Sequence, residues 1–475
     1  MRLKPSVGQL VVPLLPSTAL KPLYTVVKLY NVQLFERCAA LSATDWVHAE
    51  DSANLRYPIH RLDSTRELLS CHPVILNPDG SIWREGSLYI LDQALADDTC
   101  DPATLIAQAG HLADFMNTLL EENRDFLDFT GYRFELPTYI YKEKYNLPIK
   151  KQQISASTAN VKIRTVVRFY TDLIDHRGFS PQKQPWKVKR IKIIYEDVYG
   201  YERSKYVSYT DLTYPIAHQE NTGEYINDGG KLIPLIKSEQ LVLLTSLMQI
   251  GNPEMILVFT IALVTGMRIQ TILTLRVGSI KSGDSTSFDL IPIRAGRGTL
   301  VDTKRNKPIV VLMPSWLHHK LTVYLNSDRY KQRAILAPAK PENEQYVFVS
   351  RTGKPYYIAK NDIGYFSSDE KGSYIRLFIK SKLKPLMGQK GVDVNFSFHD
   401  LRATFGMNLI HERLELLRRG RINEIELIDY VRKRMSHSTS KTTQGYLQYE
   451  RNNDLAFQAD TEYQQFLIDL LATKD

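Results

Sequence analysis

Apolar side chains recur at every third or fourth position in several stretches of this 475-residue chain. That spacing places them on one face of a helix, so it predicts helices over residues 103–127 and 155–174. The same periodicity predicts two more helices, over residues 233–248 and 253–264, and a mostly helical region from residue 373 to the end. Helices therefore dominate the predicted structure.

Two short apolar runs, residues 287–293 and 308–313, predict strands that are joined by a basic turn. The expected fold class is therefore mainly α with a small β-sheet. Residues 1–85 hold few periodic segments and are expected to form an N-terminal arm or a small extra domain of unknown role. Residues 86–220 are expected to form a helical domain, the glycines of 221–231 favour a linker, and 232–475 are expected to form a second domain with a C-terminal helix.

Composition and charge limit the classes of protein to which the chain can belong. Hydrophobic residues make up 43% and charged residues 24%, which excludes disordered and collagenous classes. Lys and Arg exceed Asp and Glu by 61 to 52, a net charge of +9 that favours a polyanionic partner, either nucleic acid or an acidic membrane surface. No apolar stretch reaches about 18 residues, so a cytoplasmic protein is expected. Cys38, Cys71 and Cys100 show no CxxC or Cys/His pairing, which supports neither a disulfide framework nor a zinc site.

A basic run around Trp186 is the first candidate binding surface. Its members are Lys183, Lys187, Lys189, Arg190 and Lys192. Such a run can be an ordinary solvated face or a surface that follows the phosphates of a nucleic acid. The sequence does not decide between the two.

Four short segments of the C-terminal half carry the candidate chemistry, since nucleotide-binding, serine-hydrolase and zinc-protease motifs are absent. In Thr265-Gly266-Met267-Arg268, the glycine is expected to end one helix so that Arg268 opens the next. In Ser397-Phe398-His399-Asp400-Leu401-Arg402, Ser397 and Asp400 fit a capping box. That box places His399 in the first helical turn, with Arg402 on the same face.

The other two segments contribute Lys304, in the basic turn between the strands, and His437 with Tyr446 nine positions later. Taken singly, each segment has an ordinary structural explanation: a surface salt bridge, a helix-start histidine, a core tyrosine, turn chemistry. Taken together and in this order, they resemble the tyrosine recombinase (phage integrase) family over about residues 232–450. The helical region 100–180 resembles that family's core-binding domain.

The resemblance implies a role for each of these side chains. Arg268 and Arg402 correspond to the two catalytic arginines, His399 and His437 to the two histidine positions, Lys304 to the hairpin lysine, and Tyr446 to the nucleophile. The implied protein is a site-specific recombinase or integrase of a mobile genetic element, associated with the nucleoid. It would cut and rejoin DNA strands through a 3′-phosphotyrosyl intermediate, with no metal or nucleotide cofactor.

The implied architecture is a helical core-binding domain and an α+β catalytic domain that form a C-shaped clamp on double-stranded DNA. Self-assembly into a tetramer on DNA is expected, with accessory proteins as further partners and no membrane. An apolar stripe after Tyr446 predicts a C-terminal helix that docks either on a neighbouring protomer or on its own domain. Its members are Leu455, Phe457, Tyr463, Phe466, Leu467, Leu470 and Leu471.

Some features depart from the family's pattern or leave alternatives open. The family often has an acidic residue three positions after its first arginine, where this chain has Thr271, so something else is expected to orient Arg268. Lys307 is an alternative to Lys304. The 131 positions between Arg268 and His399 predict an insertion within about 320–390. Alternative functions are a type IB topoisomerase-like enzyme, a catalytically silent DNA-binding regulator on the same fold, and a basic metabolic enzyme without a DNA role.

Overall fold

A computed structural model describes residues 23–33, 46–48, 56–58, 68–96, 101–196, 202–216, 224–281, 289–363, 365–366 and 370–452. The chain divides into two compact units. The first comprises residues 1–189 and 208–216, and the second comprises 190–207 and 217–475. The predicted C-terminal helix lies outside the described residues.

In its described residues, the first unit combines two separate two-stranded sheets with five α-helices. Strand β1 (Thr25–Gln33) pairs antiparallel with β4 (Leu68–Leu76), and the short β2 (Trp46–His48) pairs with β3 (Arg56–Pro58). The helices are α1 (Arg84–Ala96), α2 (Pro102–Glu121), α3 (Pro137–Glu143), α4 (Asn146–Lys150) and α5 (Ala156–His176). The ribbon of β5 (Val188–Glu196) and β6 (Glu202–Thr210) contributes residues to both units.

The two long helices of this unit confirm the helical periodicity of the sequence. The Asp101 carboxylate accepts from the backbone N–H of Ala103 at the start of α2, and the Ser155 hydroxyl accepts from Thr158 N–H at the start of α5. Their apolar faces meet in one core that includes Phe115. Residues predicted to lie outside the helical domain contribute to that core as well, namely Leu69, Ile75 and Trp83.

The second unit begins with a small hairpin, β7 (Ile226–Asn227) and β8 (Lys231–Leu232). Helices α6 (Lys237–Ile250), α7 (Pro253–Thr265), α8 (Ile269–Leu273) and α9 (Val277–Lys281) follow. Strands β9 (Leu290–Ala295) and β10 (Ile309–Pro314) pair antiparallel. The remaining helices are α10 (Ser315–Asn326), α11 (Asp328–Ile335), α12 (Ser373–Phe378), α13 (Lys384–Gln389), α14 (Asp400–Arg418), α15 (Glu424–Arg434) and a final helical segment at 440–452.

The predicted helices at 233–248 and 253–264 and the two strands are confirmed to within a few residues by α6, α7, β9 and β10. The linker expected at 221–231 is corrected, because residues 226–232 form the β7–β8 hairpin and Ile226 and Leu232 are buried in a core with Phe405. Glycine content suggested a linker there, but Gly229 and Gly230 lie in the tight turn of this hairpin. Among the residues that the structure describes, none of the helices is long and apolar enough to span a membrane.

Phe259→Ala is expected to lower the free energy of unfolding by about 3–5 kcal/mol, since it deletes a buried aromatic ring from the main core of the second unit. The ring of Phe259 lies 5.2 Å from that of Phe398 and 6.2 Å from that of Phe378. Leu377→Ala, at a side chain that is 60% exposed, is the matched control and is expected to change stability by less than about 0.5 kcal/mol. Denaturant unfolding measures both, and equal losses would contradict the described core.

Candidate active site

The site is organised around Asp228, in the turn of the β7–β8 hairpin. Only two residue pairs close the hairpin, Ile226 with Leu232 and Asn227 with Lys231. Gly229 has a φ of +77°, a left-handed conformation that glycine adopts without strain. The Asp228 side chain turns inward and is only 6% exposed. A buried carboxylate needs hydrogen-bond donors or positive charge around it, and four side chains supply them, while a fifth donates to the main-chain carbonyl of Asp228.

Arg402, on the first turn of α14, makes the shortest contact with Asp228. Its Nε–H donates to Oδ2 of Asp228 over 2.7 Å. The other two nitrogens donate to main-chain carbonyls, Nη1 to Gly266 over 2.6 Å and Nη2 to Met435 over 2.7 Å. The guanidinium is therefore held from three directions by three separate parts of the chain, and it is almost completely buried.

Arg268 approaches Asp228 from the junction of α7 and α8. As the sequence predicted, α7 ends at Gly266, which has a φ of +65°, and Arg268 is the N-cap residue of α8. Its Nη2 lies 3.4 Å from Oδ1 of Asp228. Thr271 lies three positions later, where the family that the chain resembles often has an acidic residue, and it is buried. The carboxylate that contacts Arg268 comes instead from Asp228.

The two histidines also donate to Asp228. His399 Nε2 lies 3.0 Å from the Asp228 carbonyl oxygen, and His437 Nε2 lies 3.1 Å from its Oδ2. Both partners are acceptors, so each Nε2 carries the proton. Nδ1 of His437 lies 2.9 Å from the Thr443 hydroxyl, which can donate to it and so fix the neutral tautomer.

The start of α14 places His399 and Arg402. Asp400 accepts from both the backbone N–H and the hydroxyl of Ser397, and its other oxygen accepts from the backbone N–H of Ile233. The predicted capping box is therefore only half formed, because the Asp400 N–H donates to the Ser397 carbonyl and not to its hydroxyl. His399 occupies the N-cap position itself, one residue before the predicted first turn. Asp400 thereby connects the start of α14 to the chain that leaves the β7–β8 hairpin.

Tyr446, in the helical segment 440–452, completes the cluster. Its hydroxyl donates to Oδ2 of Asp228 over 3.1 Å, and its side chain is completely buried. The ring packs directly over Gly406 of α14, where a Cβ would lie 2.5 Å from Cε1 of Tyr446. The absence of a side chain at Gly406 therefore sets how closely the tyrosine approaches α14.

These contacts shift the acidities of the groups involved. Burial alone would raise the pKa of Asp228, but the hydrogen bond from His437 and the charge of Arg402 outweigh it and hold that pKa well below its usual range. Burial lowers the pKa of His399 and of His437, so both are neutral at pH 7. Burial and the neighbouring Asp228 charge raise the pKa of Tyr446 well above 10. The phenol is therefore protonated in this state.

Lys304 and Lys307 lie in the turn between β9 and β10, and both line a small pocket with Arg268 and Arg402. Lys307 Nζ donates to the Ser436 carbonyl and lies 3.2 Å from the Ser438 hydroxyl. Lys304 is exposed, and its Nζ would lie 3.4 Å from a Cβ at Gly229. Lys304 therefore points toward the hairpin turn that carries Asp228, whereas Lys307 is bound to the segment before Tyr446.

The side chains of the basic run are exposed, and within the described part of the chain a hydrogen bond fixes the ammonium group of Lys183. Lys183 Nζ donates to the Gly131 carbonyl over 2.6 Å and faces the ring of Tyr132. Lys187 precedes β5, while Lys189, Arg190 and Lys192 lie on that strand, all with exposed side chains. A DNA-binding role for this run stays a prediction.

Sequence reasoning did not identify Asp228, although a signal for its position was present. Asn227-Asp228-Gly229-Gly230 is a typical turn sequence for a two-stranded hairpin. That signal predicts a hairpin, but it does not say that the turn's carboxylate reaches side chains 40 to 218 positions away. In the described residues, no group of three or more His, Cys, Asp or Glu side chains is arranged to hold a metal ion.

No protein-family model matches the chain, and no curated protein matches it. In structure the chain is similar to tyrosine recombinases and integrases. A lambda integrase dimer bound to a COC′ core site matches 76% of this chain and 94% of its own, with 11% identity and a TM-score of 0.42. The XerH site-specific recombinase in a post-cleavage complex with palindromic difH substrate matches 78% and 88%, with 14% identity and a TM-score of 0.39.

The Tn1549 transposon integrase in complex with circular intermediate DNA matches 76% of this chain and 94% of its own, with 15% identity and a TM-score of 0.39. Likeness at this level does not by itself assign an activity to this chain. The assignment depends on the side chains of the site.

Gly406→Ala is expected to destabilise the protein by about 1–3 kcal/mol, because the new methyl group would collide with the ring of Tyr446 and with the Met435 sulfur. Gly445→Ala is the matched control, one residue before Tyr446, where a Cβ meets no atom within 4 Å. Alanine favours a helix, so this control is expected to be neutral or stabilising by up to about 1 kcal/mol. Thermal unfolding compares the two, and an unaffected Gly406→Ala protein would contradict the placement of Tyr446.

Proposed function

We propose that the chain is a site-specific DNA recombinase of the tyrosine type. In this mechanism the Tyr446 hydroxyl attacks a DNA phosphodiester, forms a 3′-phosphotyrosyl bond and releases a 5′-hydroxyl. The observation that carries the proposal is the convergence of Arg268, Arg402, His437 and Tyr446 on one small anion, the Asp228 carboxylate. His399 lies beside them and donates to the main-chain carbonyl of Asp228. Side chains that surround a carboxylate in this way are equally suited to a phosphate.

The two arginines suit the charge that develops during phosphoryl transfer. Attack by the phenol oxygen concentrates negative charge on the non-bridging phosphate oxygens. Arg268 and Arg402 offer planar, permanently charged donors to those oxygens. Because Arg402 is already fixed by the Gly266 and Met435 carbonyls, it needs no reorganisation when the transition state forms.

The histidines and Lys304 suit the proton transfers of the same reaction. A phenol is a weak nucleophile until its proton is removed, and a neutral histidine can accept or relay that proton. Both His399 and His437 are neutral at pH 7, since burial lowers the pKa of each. Lys304 is the proposed donor of a proton to the departing 5′-oxygen.

The proposed partner is double-stranded DNA, on which the protein would assemble as a tetramer. Lys183, Lys187, Lys189, Arg190 and Lys192 are the proposed phosphate-contacting run, because their side chains are exposed and positively charged. The covalent phosphotyrosyl bond conserves the energy of the phosphodiester, so rejoining needs no nucleotide cofactor. Exchange of strands between two DNA duplexes distinguishes a recombinase from a topoisomerase-like enzyme, which rejoins the same strands.

Tyr446→Phe is expected to abolish the covalent protein–DNA adduct on a nicked candidate site while DNA binding is retained, because only the hydroxyl is lost. Tyr449→Phe is the matched control, three residues later in the same helical segment, and is expected to form the adduct. Denaturing gel electrophoresis measures the adduct, and a mobility-shift assay measures binding. Adduct formation by Tyr446→Phe but not by Tyr449→Phe would move the nucleophile to Tyr449. If neither the wild type nor the control forms an adduct, the result would favour a catalytically silent DNA-binding regulator.

Arg402→Lys is expected to slow adduct formation by about 10²-fold or more with DNA affinity little changed, since lysine keeps the charge but cannot reach all three partners of the guanidinium. Arg268→Ala is expected to act in the same direction. Single-turnover rates and mobility shifts separate the two quantities. Equal losses of rate and affinity would indicate that the arginines only position DNA. A chelator is expected to leave the wild-type rate unchanged, and strong inhibition would contradict the metal-free mechanism.

A further inference from the structure

Asp228 occupies the position that the proposed reaction requires for the scissile phosphate. Its Oδ2 accepts from Arg402, His437 and Tyr446 at 2.7, 3.1 and 3.1 Å, the distances at which a phosphate oxygen would accept from the same donors. The nucleophile and Arg402 are both buried beside it. With Asp228 in this position, a DNA phosphate has no room next to the Tyr446 hydroxyl.

We propose that Asp228 is an internal substitute for the scissile phosphate, and that the turn formed by residues 228–230 must move away before DNA can react. The proposal rests on the proposed function, because it assigns a phosphate to the same donors. In this resting state the carboxylate balances one of the two arginine charges and keeps the tyrosine protonated and inaccessible. Binding of DNA exchanges one anion for another.

Electrostatics makes the two anions mutually exclusive. A carboxylate and a phosphate that accept from the same three donors would lie within a few ångströms of each other, in a buried site where like charges repel strongly. Arg402, His437 and Tyr446 direct their donors at a single oxygen position, so only one anion can accept from all three. A phosphate that enters therefore displaces Asp228 from the donors, and Asp228 in turn competes with every phosphate that approaches.

The hairpin is built so that its turn can move while its ends stay fixed. Ile226 and Leu232 are buried in the core, and the backbone N–H of Ile233 is bound by Asp400. Between these anchors lie Gly229 and Gly230, both exposed, and a single pair of residues next to the turn. Glycines allow the backbone to change direction at low cost, so residues 228–230 can rotate outward while Ile226 and Leu232 keep their buried contacts.

A different role for the same residue makes the opposite prediction. If Asp228 stayed in place during the reaction and only oriented Arg268 and Arg402, its removal would slow the chemical step. If it is a substitute for phosphate, its removal empties an anion site and exposes the nucleophile. The two roles therefore differ in the sign of the effect on both anion binding and reaction rate.

The first experiment measures binding of inorganic phosphate to the full-length protein by isothermal titration calorimetry and by thermal unfolding. Asp228→Asn keeps the shape of the side chain without its charge, and Asp228→Ala removes both. Each is expected to bind phosphate at least about 10-fold more tightly than wild type and to unfold at a higher temperature when phosphate is added. Glu224→Ala removes an exposed carboxylate four residues away and is expected to match wild type. Unchanged phosphate binding in a folded Asp228→Asn protein would overturn the proposal.

The second experiment measures the rate of adduct formation on a nicked duplex over a range of DNA concentrations. Asp228→Asn is expected to reach half of its maximal rate at a DNA concentration several-fold lower than wild type, with Glu224→Ala unchanged. A slower reaction in a folded Asp228→Asn protein would overturn the proposal in favour of an orienting role. If no variant forms an adduct, the proposed function fails, and the phosphate titration alone decides whether Asp228 guards an anion site.

Discussion

The arrangement of the second unit depends on the compensation of one buried positive charge. Arg402 is only 4% exposed, and a guanidinium in that position destabilises a fold strongly unless its donors are satisfied and its charge is balanced. The Gly266 and Met435 carbonyls and the Asp228 carboxylate meet both needs. Loss of any one of them would leave a buried charge or an unpaired donor.

That requirement joins four distant parts of the chain. Asp228 comes from a hairpin, Gly266 from the end of α7, Arg402 from the start of α14, and Met435 from the turn after α15. The backbone conformation of each part is set by its local sequence; for example, Gly266 adopts a left-handed conformation that ends α7. Arg402 bonds the other three parts, and it therefore sets the distances between the start of α14, the end of α7 and the segment that leads to Tyr446. The positions of the donors proposed to bind phosphate are therefore a consequence of the fold's own charge balance.

The helices and strands with regularly spaced apolar side chains could be predicted from the sequence, because burial of one face requires that spacing within the segment itself. The faces of α5 and α7 and the strands β9 and β10 follow from apolar spacing, and the helix break at Gly266 follows from one residue. The six candidate site residues came from an ordered set of motifs, and their catalytic roles stay predictions. Asp228 was not predictable, since its turn sequence is explained by local backbone conformation alone and its partners are fixed by tertiary packing. The contribution of Ile75 and Trp83 to the helical core was hidden for the same reason.

The central claim is that Tyr446 becomes bonded to DNA at the phosphate that replaces Asp228. The most direct measurement is mass spectrometry of the protein after reaction with a nicked DNA site, nuclease treatment and digestion with trypsin. Cleavage after Lys441 and Arg451 gives a peptide that contains Tyr446 and Tyr449, so fragmentation must locate the nucleotide. The account predicts a nucleotide 3′-phosphate on Tyr446. A nucleotide on Tyr449 or on a residue outside this peptide would contradict it, as would an unmodified peptide from protein that has cleaved the DNA.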